Sequence, residues 1–458
     1  MSGADGCARP VPQAACERWL DALTRAGWPP HPGSGDVAEV AVGEALGRLT
    51  AVPVAARWPA PRTDCAAMDG IAVRAADLAP VASGTVPGGT VPGAPGEPAV
   101  RLPAGTFEWI DTGDPMPDGA DTVVMRERLL PQADGSVIVT APASGVGGGT
   151  GSGPGSGGTT GLARRGQNVR AAGEDFAAGE TLVPAGRRLR PGDLAAAAAA
   201  GHVTVSVARQ PVVAVIPTGD EIRPVGAALR RGDIIDTNSL MLAARCRQLG
   251  AVPAVSPVVP DDPDDLAAEL RQAADGADLV LVIAGSSRGR GDHAAAVLAQ
   301  VGGVAVGGGA VRPGHPALLG HAKRPEASPA GPGGPAPEAG HRTGIAPVIA
   351  LPGYPIATAV IFELFAAPLI GAVGGYQPAE DTVPARLDRD WASPAGVENW
   401  VLVTLVPGAD GIPLATPARR GAGSISLLAR ADAWWTIPAG RGTVPAGTRI
   451  EVRPVSAR

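Results

Sequence analysis

The sequence predicts a multidomain α/β plus β fold organised around one doubly wound α/β domain. Three observations predict it. From Pro211 to about Gly374 strand-like and helix-like runs alternate, the pattern of a parallel sheet with helices on both faces. Within that stretch Leu279–Ile283 is a continuous apolar run, as suits a strand covered on both sides. Elsewhere, Thr50 to about Leu130 and the chain after Pro384 consist of short β-prone runs broken by Pro and Gly, which read as a β-rich domain and a small terminal β-barrel.

Taken in order, residues 14–24 (AACERWLDALT) and 37–49 (VAEVAVGEALGRL) space their apolar positions as helices do and are expected to pack together. Ile71–Val73, Ala99–Leu102 and Thr122–Met125 are the expected strands of the β-rich domain. Residues 143–161 are Gly-rich low-complexity sequence, expected to be a flexible loop. Gly166 to Val207 brings turns and an Ala-rich helix, Leu194–Ala200. That segment is expected to return to the N-terminal helices, which makes their domain discontinuous.

In the α/β part, the strand Val212–Ile216 precedes a helix Thr237–Leu249, for which Asn238 or Thr237 is a suitable cap. A strand near Val252–Val259, a helix Asp264–Ala274 with Asp261 and Asp262 at its mouth, the Leu279–Ile283 strand and a helix Ala294–Gln300 follow. Val348–Leu351 and a helix Ile356–Leu369 complete it. The expected division is a linker domain of residues 10–50 and 162–210, a β-rich domain of 51–161, an α/β domain of 211–374 with a Pro/Gly insert near 325–340, and a barrel of 375–458.

The 458 residues are enough for about three domains of ordinary size. A net charge of −6 gives no general reason to bind nucleic acid or an anionic membrane. Lys323 is the only lysine, so any phosphate clamp must use Arg or backbone amides. Cys7, Cys16, Cys65 and Cys246 lie far apart without CxxC spacing and fit neither a disulfide framework nor a zinc site. The N-terminus lacks the apolar core of a signal peptide, and no run approaches the roughly 20 uninterrupted apolar residues of a membrane span. A soluble cytoplasmic protein is the expectation.

Ligands of doubly wound sheets bind outside the carboxyl ends of the strands. Three such ends carry unusual residues: Thr218-Gly219-Asp220-Glu221, Gly285-Ser286-Ser287 through Asp292, and Pro352-Gly353-Tyr354-Pro355. Asp261 and Asp262 sit at a fourth. Small residues between a buried strand and a helix can hold anions on backbone N–H groups, although an ordinary tight turn is the better explanation of the Gly285 stretch by itself. Carboxylates gathered at such an edge suit a hard divalent cation bridging to phosphate, as with magnesium. Arg312 and His315, on a Pro/Gly turn, offer a phosphate contact; a plain surface turn is the alternative. The acids of Met68-Asp69-Gly70 and of the run Asp111–Asp121 fit turn chemistry as well as function. Arg170 near Glu174 and Asp175 fits an exposed ion pair.

Together, AAMDG (66–70), DTGDPMPDGADTVVM (111–125), GQNVRAAGEDF (166–176), PTGDE (217–221), GDIIDTNSLML (232–242), AGSSRGRGD (284–292), RPGHP (312–316), LPGYP (351–355) and GAGSISLLARADAWWTIPAG (421–440) resemble, over almost the whole chain, the molybdopterin molybdenumtransferase family (MoeA and the gephyrin E domain). The resemblance implies a discontinuous helical linker domain, a β-rich domain, an α/β molybdopterin-binding domain and a β-barrel, assembled as a homodimer with each active site between two subunits. It implies that adenylylated molybdopterin and molybdate are converted to molybdenum cofactor with release of AMP, with magnesium as cofactor and a molybdopterin adenylyltransferase as upstream partner. Glu221, Asp261 and Asp292 match family acids linked to metal and substrate; Asp69, Thr112, Arg170 and Asp175 match functional positions around the cleft. Pro352 and Pro355 match the prolines that shape the pterin pocket. A non-catalytic molybdopterin-binding scaffold and a tungstate-inserting homologue are the alternative readings. The chain departs from the family pattern at Cys65-Ala66, Ile71, Gly307-Gly308, His293 and Tyr354.

Overall fold

The computed structural model describes residues 10–28, 37–78, 99–141, 162–284, 293–324, 344–376, 381–418, 421 and 423–455. The Gly-rich stretch 143–161, the insert 325–340 and the turn Gly285–Asp292 lie outside the described residues. The chain forms two compact units: Met1–Ala38 with Gly47–Ala51 and Ser206–Arg458, and Glu39–Leu46 with Val52–Val205.

The first unit begins with helix α1 (Pro12–Arg25), whose Ala15, Trp19 and Leu23 recur at helical spacing and are buried. Its partner is the α/β domain: the Trp19 indole N–H donates to Gly320 O at 2.8 Å. The expected second helix over 37–49 is instead a strand, Val37–Ala41, followed by a 3-10 turn, Val42–Glu44. Val37 to Ala41 alternates in exposure with period two, and two β-branched residues with Gly43 close behind favour extended backbone over helix.

In the second unit, β1 (Gly70–Val73) lies between β2 (Glu108–Ile110) and β3 (Thr122–Met125), antiparallel to both. A second three-stranded sheet joins Ala99–Leu102, Val137–Thr140 and Leu129–Pro131. Ile71, Val73, Val124, Val137 and Val139 fill the core they share. A Cβ on Gly70 would stand 1.9 Å from Val124 O, so the close approach of β1 to β3 admits glycine alone. The one α-helix described here, Pro191–Ala199, is closed at its start by Asp193 accepting the Arg190 N–H at 2.8 Å.

The α/β domain of the first unit contains β4 (Val212–Pro217), α2 (Asn238–Gln248), β5 (Val252–Val255), α3 (Pro263–Gly276), β6 (Leu279–Ala284), α4 (Ala294–Val301), β7 (Gly302–Gly307), β8 (Leu318–Lys323) and β9 (Ile345–Pro352). A helical segment over Pro355–Val373, α5, follows. The sheet order is β5-β4-β6-β9-β8-β7, and β8 alone runs against the others, pairing antiparallel with both β9 and β7. α1, α2 and α5 bury one face, and α3 and α4 the other; this is the doubly wound arrangement. Arg209 clamps Asp278 with two hydrogen bonds of 2.9 and 3.0 Å while that carboxylate also takes the Val212 N–H, fixing the entry to β4.

α5 opens into a π turn over Phe362–Ala366. Pro368 cannot donate to the ladder and would clash in a regular α-helix, and the wider turn relieves both. Among the described residues α5 is the helix long and apolar enough to cross a membrane, but it is mostly buried inside the domain. Its Glu363 pairs with Arg245 at 2.7 Å and with Arg453 at 3.5 Å.

The C-terminal strands β10 (Val383–Leu387), β11 (Glu398–Val406), β12 (Leu414–Pro417), β13 (Ala433–Ile437) and β14 (Arg449–Pro454) close into a five-stranded barrel in the order β11-β12-β10-β14-β13 and back to β11. Closure leaves no free sheet edge within it.

Candidate active site

A cleft of ≈ 1020 Å³ opens at the carboxyl ends of β4 and β9. Thr218, Glu221, Arg312, His315, Pro352 and Pro355, all expected from sequence, line it. Thr218 is pinned through its N–H and hydroxyl to Ile283 O, at 3.1 and 2.9 Å. Gly219 follows with φ +134°, where a Cβ would press on Ile222 and the Glu221 carboxylate; glycine is what lets the chain turn back and deliver Glu221 to the rim. Pro352 ends β9 and its carbonyl accepts the buried Thr358 hydroxyl, while Pro355 opens α5 at a position where a missing N–H costs nothing. Arg312 is set by parallel pairing of Val311-Arg312 with Glu398-Asn399 of the barrel.

The acids separate by role. Asp262 caps α3 by accepting the N–H groups of Asp264 and Asp265 at 2.8 and 3.1 Å. Asp261 is exposed beside it and does not line the cleft. Its N–H donates to Asp220 Oδ1 at 3.3 Å, so the ends of β4 and β5 do bring Asp220, Glu221 and Asp261 to one edge. Among the described residues no three His, Cys, Asp or Glu side chains gather closely enough to hold a metal ion. Glu221 and Asp261 are nevertheless hard oxygen donors of the kind magnesium takes, and a magnesium ion normally keeps several waters and phosphate oxygens as its remaining ligands. Gly285, Ser286, Ser287 and Asp292 fall outside the described residues.

The second unit holds its own group. Asp69 Oδ1 accepts the Thr112 N–H and the Thr112 hydroxyl, both at 2.7 Å. These bonds, the hydroxyl foremost, hold the Asp69 carboxyl below its ordinary ionisation range although it is fully exposed. The loop carrying Thr112 is fastened by Gly113 N–H to Ala66 O and Ala66 N–H to Asp114 O, at 2.8 and 2.9 Å. Arg170 pairs in register with Cys65 and lies 3.6 Å from Glu174. Asp175 is tied through its N–H to Ala60 O at 2.9 Å. Asp69, Thr112 and the Arg170 backbone therefore meet on one small scaffold, and Cys65-Ala66 serves it through backbone bonds.

Sequence reasoning missed two features of the first-unit cleft. The barrel supplies part of its wall, including Trp391 and Trp400, and Trp400 is held by an indole bond to Glu398 at 2.7 Å and by Arg453 stacked at 4.9 Å. Asp236 and Asn238, at the start of α2, also line it. Of the two candidate caps, Thr237 takes the N-cap position without a side-chain cap bond, and Asn238 opens the helix with its amide donating to Gly353 O at 2.7 Å. The signal for Asp236 and Asn238 is the DTN run at the start of an apolar-spaced helix.

Models of three protein families match the chain: "MoeA N-terminal region (domain I and II)" over residues 13–201, "Probable molybdopterin binding domain" over 214–372 and "MoeA C-terminal region (domain IV)" over 384–455. A molybdopterin molybdenumtransferase of Nostoc sp. is 32% identical over 338 residues, covering 72% of this chain and 68% of its own. That of Synechococcus elongatus is 30% identical over 415 residues, covering 89% and 91%. A crystal structure described as the molybdopterin biosynthesis MoeA protein from Pyrococcus horikosii superposes with a TM-score of 0.72 at 27% identity, covering 98% of this chain and 99% of the other.

Proposed function

This chain belongs to the molybdopterin molybdenumtransferase (MoeA) family, and from that premise we propose that it inserts molybdate into adenylylated molybdopterin with release of AMP, in a magnesium-dependent reaction. The observation that carries the reading is the cleft itself, where Thr218 and Glu221 at the end of β4 share one cavity with Arg312, Pro352 and Pro355. Its apolar and aromatic lining suits a flat heterocycle, and Arg312 suits a phosphate or an oxyanion.

In this reading Thr218 and Gly219 fix the strand end, Pro352 and Pro355 shape the ring pocket, and Arg312 with His315 orients the anionic groups. Glu221, Asp261 and Asp292 would hold magnesium, which supplies charge neutralisation at the phosphoanhydride. Asp69 and Thr112 act as one unit, an acid kept charged by the hydroxyl beside it. Arg170 and Asp175 serve the same half. We place the working form as a homodimer in the cytoplasm, supplied by a molybdopterin adenylyltransferase.

The test is incubation of the purified protein with adenylylated molybdopterin, molybdate and magnesium, with AMP followed by chromatography. Release that depends on protein and magnesium, and falls about 100-fold or more in Glu221→Gln, is expected. AMP release no faster than without protein would end the proposal.

A further inference from the structure

Two acceptor groups in the cleft have no task in the reaction as described. Asp236 precedes α2 and is fixed by its own N–H donating to Arg223 O at 2.8 Å. Its Oδ1 accepts the Ser239 N–H at 2.9 Å. Its second carboxylate oxygen accepts no hydrogen bond among the described residues. Asn238 is only 8% exposed; its amide N–H is spent on Gly353 O, and its Oδ1 is buried without a partner. Both residues line the cleft.

This arrangement does not suit an anion. The Asp236 carboxylate already covers the start of α2 and would repel a phosphate brought there. The buried, unpartnered Asn238 Oδ1 calls for a donor, and the half-buried Asp236 carboxylate two residues before it has an oxygen left to accept one, so the pair suits a ligand edge that carries N–H groups. The cavity's other walls fit the rest of such a ligand: Pro352 and Trp391 offer apolar faces, and Arg312 comes from a different element to meet an anionic tail.

We propose that Asp236, supported by Asn238, is the specificity-determining group that reads the 2-amino and ring N–H donors of the pterin's pyrimidinone edge. The assignment rests on the reading of the substrate as a molybdopterin and adds which edge of the ring enters first and what recognises it. The Asp236 carboxylate accepts from the exocyclic amine, the Asn238 Oδ1 accepts from the ring N–H, and the Asn238 amide N–H holds the Gly353 turn so that the ring lies against Pro352.

A lumazine separates the possibilities, because an oxo group replaces the 2-amino donor of a pterin and would face the carboxylate oxygen to oxygen. Binding of pterin 6-carboxylate and lumazine 6-carboxylate is measured by fluorescence titration with the wild-type chain and with Asp236→Asn. The asparagine keeps an oxygen for the Ser239 N–H, so the melting temperature should hold, and it exchanges one acceptor for a donor. The wild type should favour the pterin by about 10-fold or more, and Asp236→Asn should bring the ratio to near unity or reverse it. Pterin binding with the same ratio in both proteins overturns the inference and leaves the proposed function standing. A wild-type protein that binds neither heterocycle overturns both.

Discussion

Asp69 and Thr112, forty-three positions apart, are joined by two hydrogen bonds of 2.7 Å that converge on a single carboxylate oxygen. The pair fixes the carboxylate's direction and keeps it ionised into acid where a free aspartate would protonate. Because the folded-state value is depressed, the stability it contributes is present above the unfolded value and lost as pH falls through the folded one.

Thr112→Ala removes the largest of the causes that depress it, leaving the Thr112 N–H and the charge of Arg126. The Asp69 carboxyl should then titrate at higher pH, closer to 3.8, which carbon-detected NMR of the side chain reads directly. On the proposed function, turnover should fall about 10-fold or more at neutral pH, and its acid limb should move upward. An unmoved Asp69 titration would show that the hydroxyl bond does not form in solution.

Glu221→Gln keeps shape and removes charge at the mouth of the cleft, where Glu221 is exposed. The fold should melt within about 2 °C of wild type, since surface changes of this kind cost little. The magnesium concentration needed for half-maximal AMP release should rise about 10-fold or more. An unchanged requirement would remove Glu221 from the metal's ligands.

Glu363→Ala leaves Arg245 and Arg453 without their shared partner in the core between α5, α2 and the barrel. Arg245 keeps 31% of its side chain accessible, so the loss should be about 2–3 kcal/mol, at or below the low end of the range for breaking a buried pair. Urea unfolding of the whole chain measures it.

Gly70→Ala cannot be relieved by a side-chain movement, because the atom in the way is the backbone oxygen of Val124. A loss of about 3 kcal/mol is expected, seen as an earlier unfolding transition.

Cys246, on the inner face of α2, is fully buried, and burial pushes its thiol up to about 12. At pH 8 only about one thiol in 10,000 would be ionised, so iodoacetamide should spare Cys246 in the native protein and label it after denaturation. Rapid native labelling would contradict the packing of α2 on the sheet.

The architecture was legible wherever periodicity and burial agree. Leu279–Ile283 reads as a central strand because apolar side chains on both faces leave no other economical placement, and it is one. Residues 37–49 misled because Val, Ala and Leu at mixed spacings satisfy a helical period and an alternating one together, and Gly43 settles the matter only once the chain is folded. Motif residues such as Glu221 and Pro352 could be placed at strand ends from the α/β alternation alone. The barrel's part in the cleft could not: Trp391 and Trp400 sit in strands and turns whose neighbours are set by tertiary packing, and no local pattern reports that. Asp236 was hidden differently, since an acid before a helix is ordinary capping chemistry until its second oxygen is found without a partner.

The bond from Trp19 to Gly320 spans 301 positions, and it sets a timetable for synthesis. At ~5–20 residues per second the first helix leaves the ribosome roughly 15–60 s before the strand that will cover its tryptophan exists. Throughout that interval Trp19 and Leu23 face water or a chaperone. Helix α1 is thus among the last elements to find its place, and a ribosome stalled before Gly320 would leave a nascent chain with that greasy helix still unclaimed.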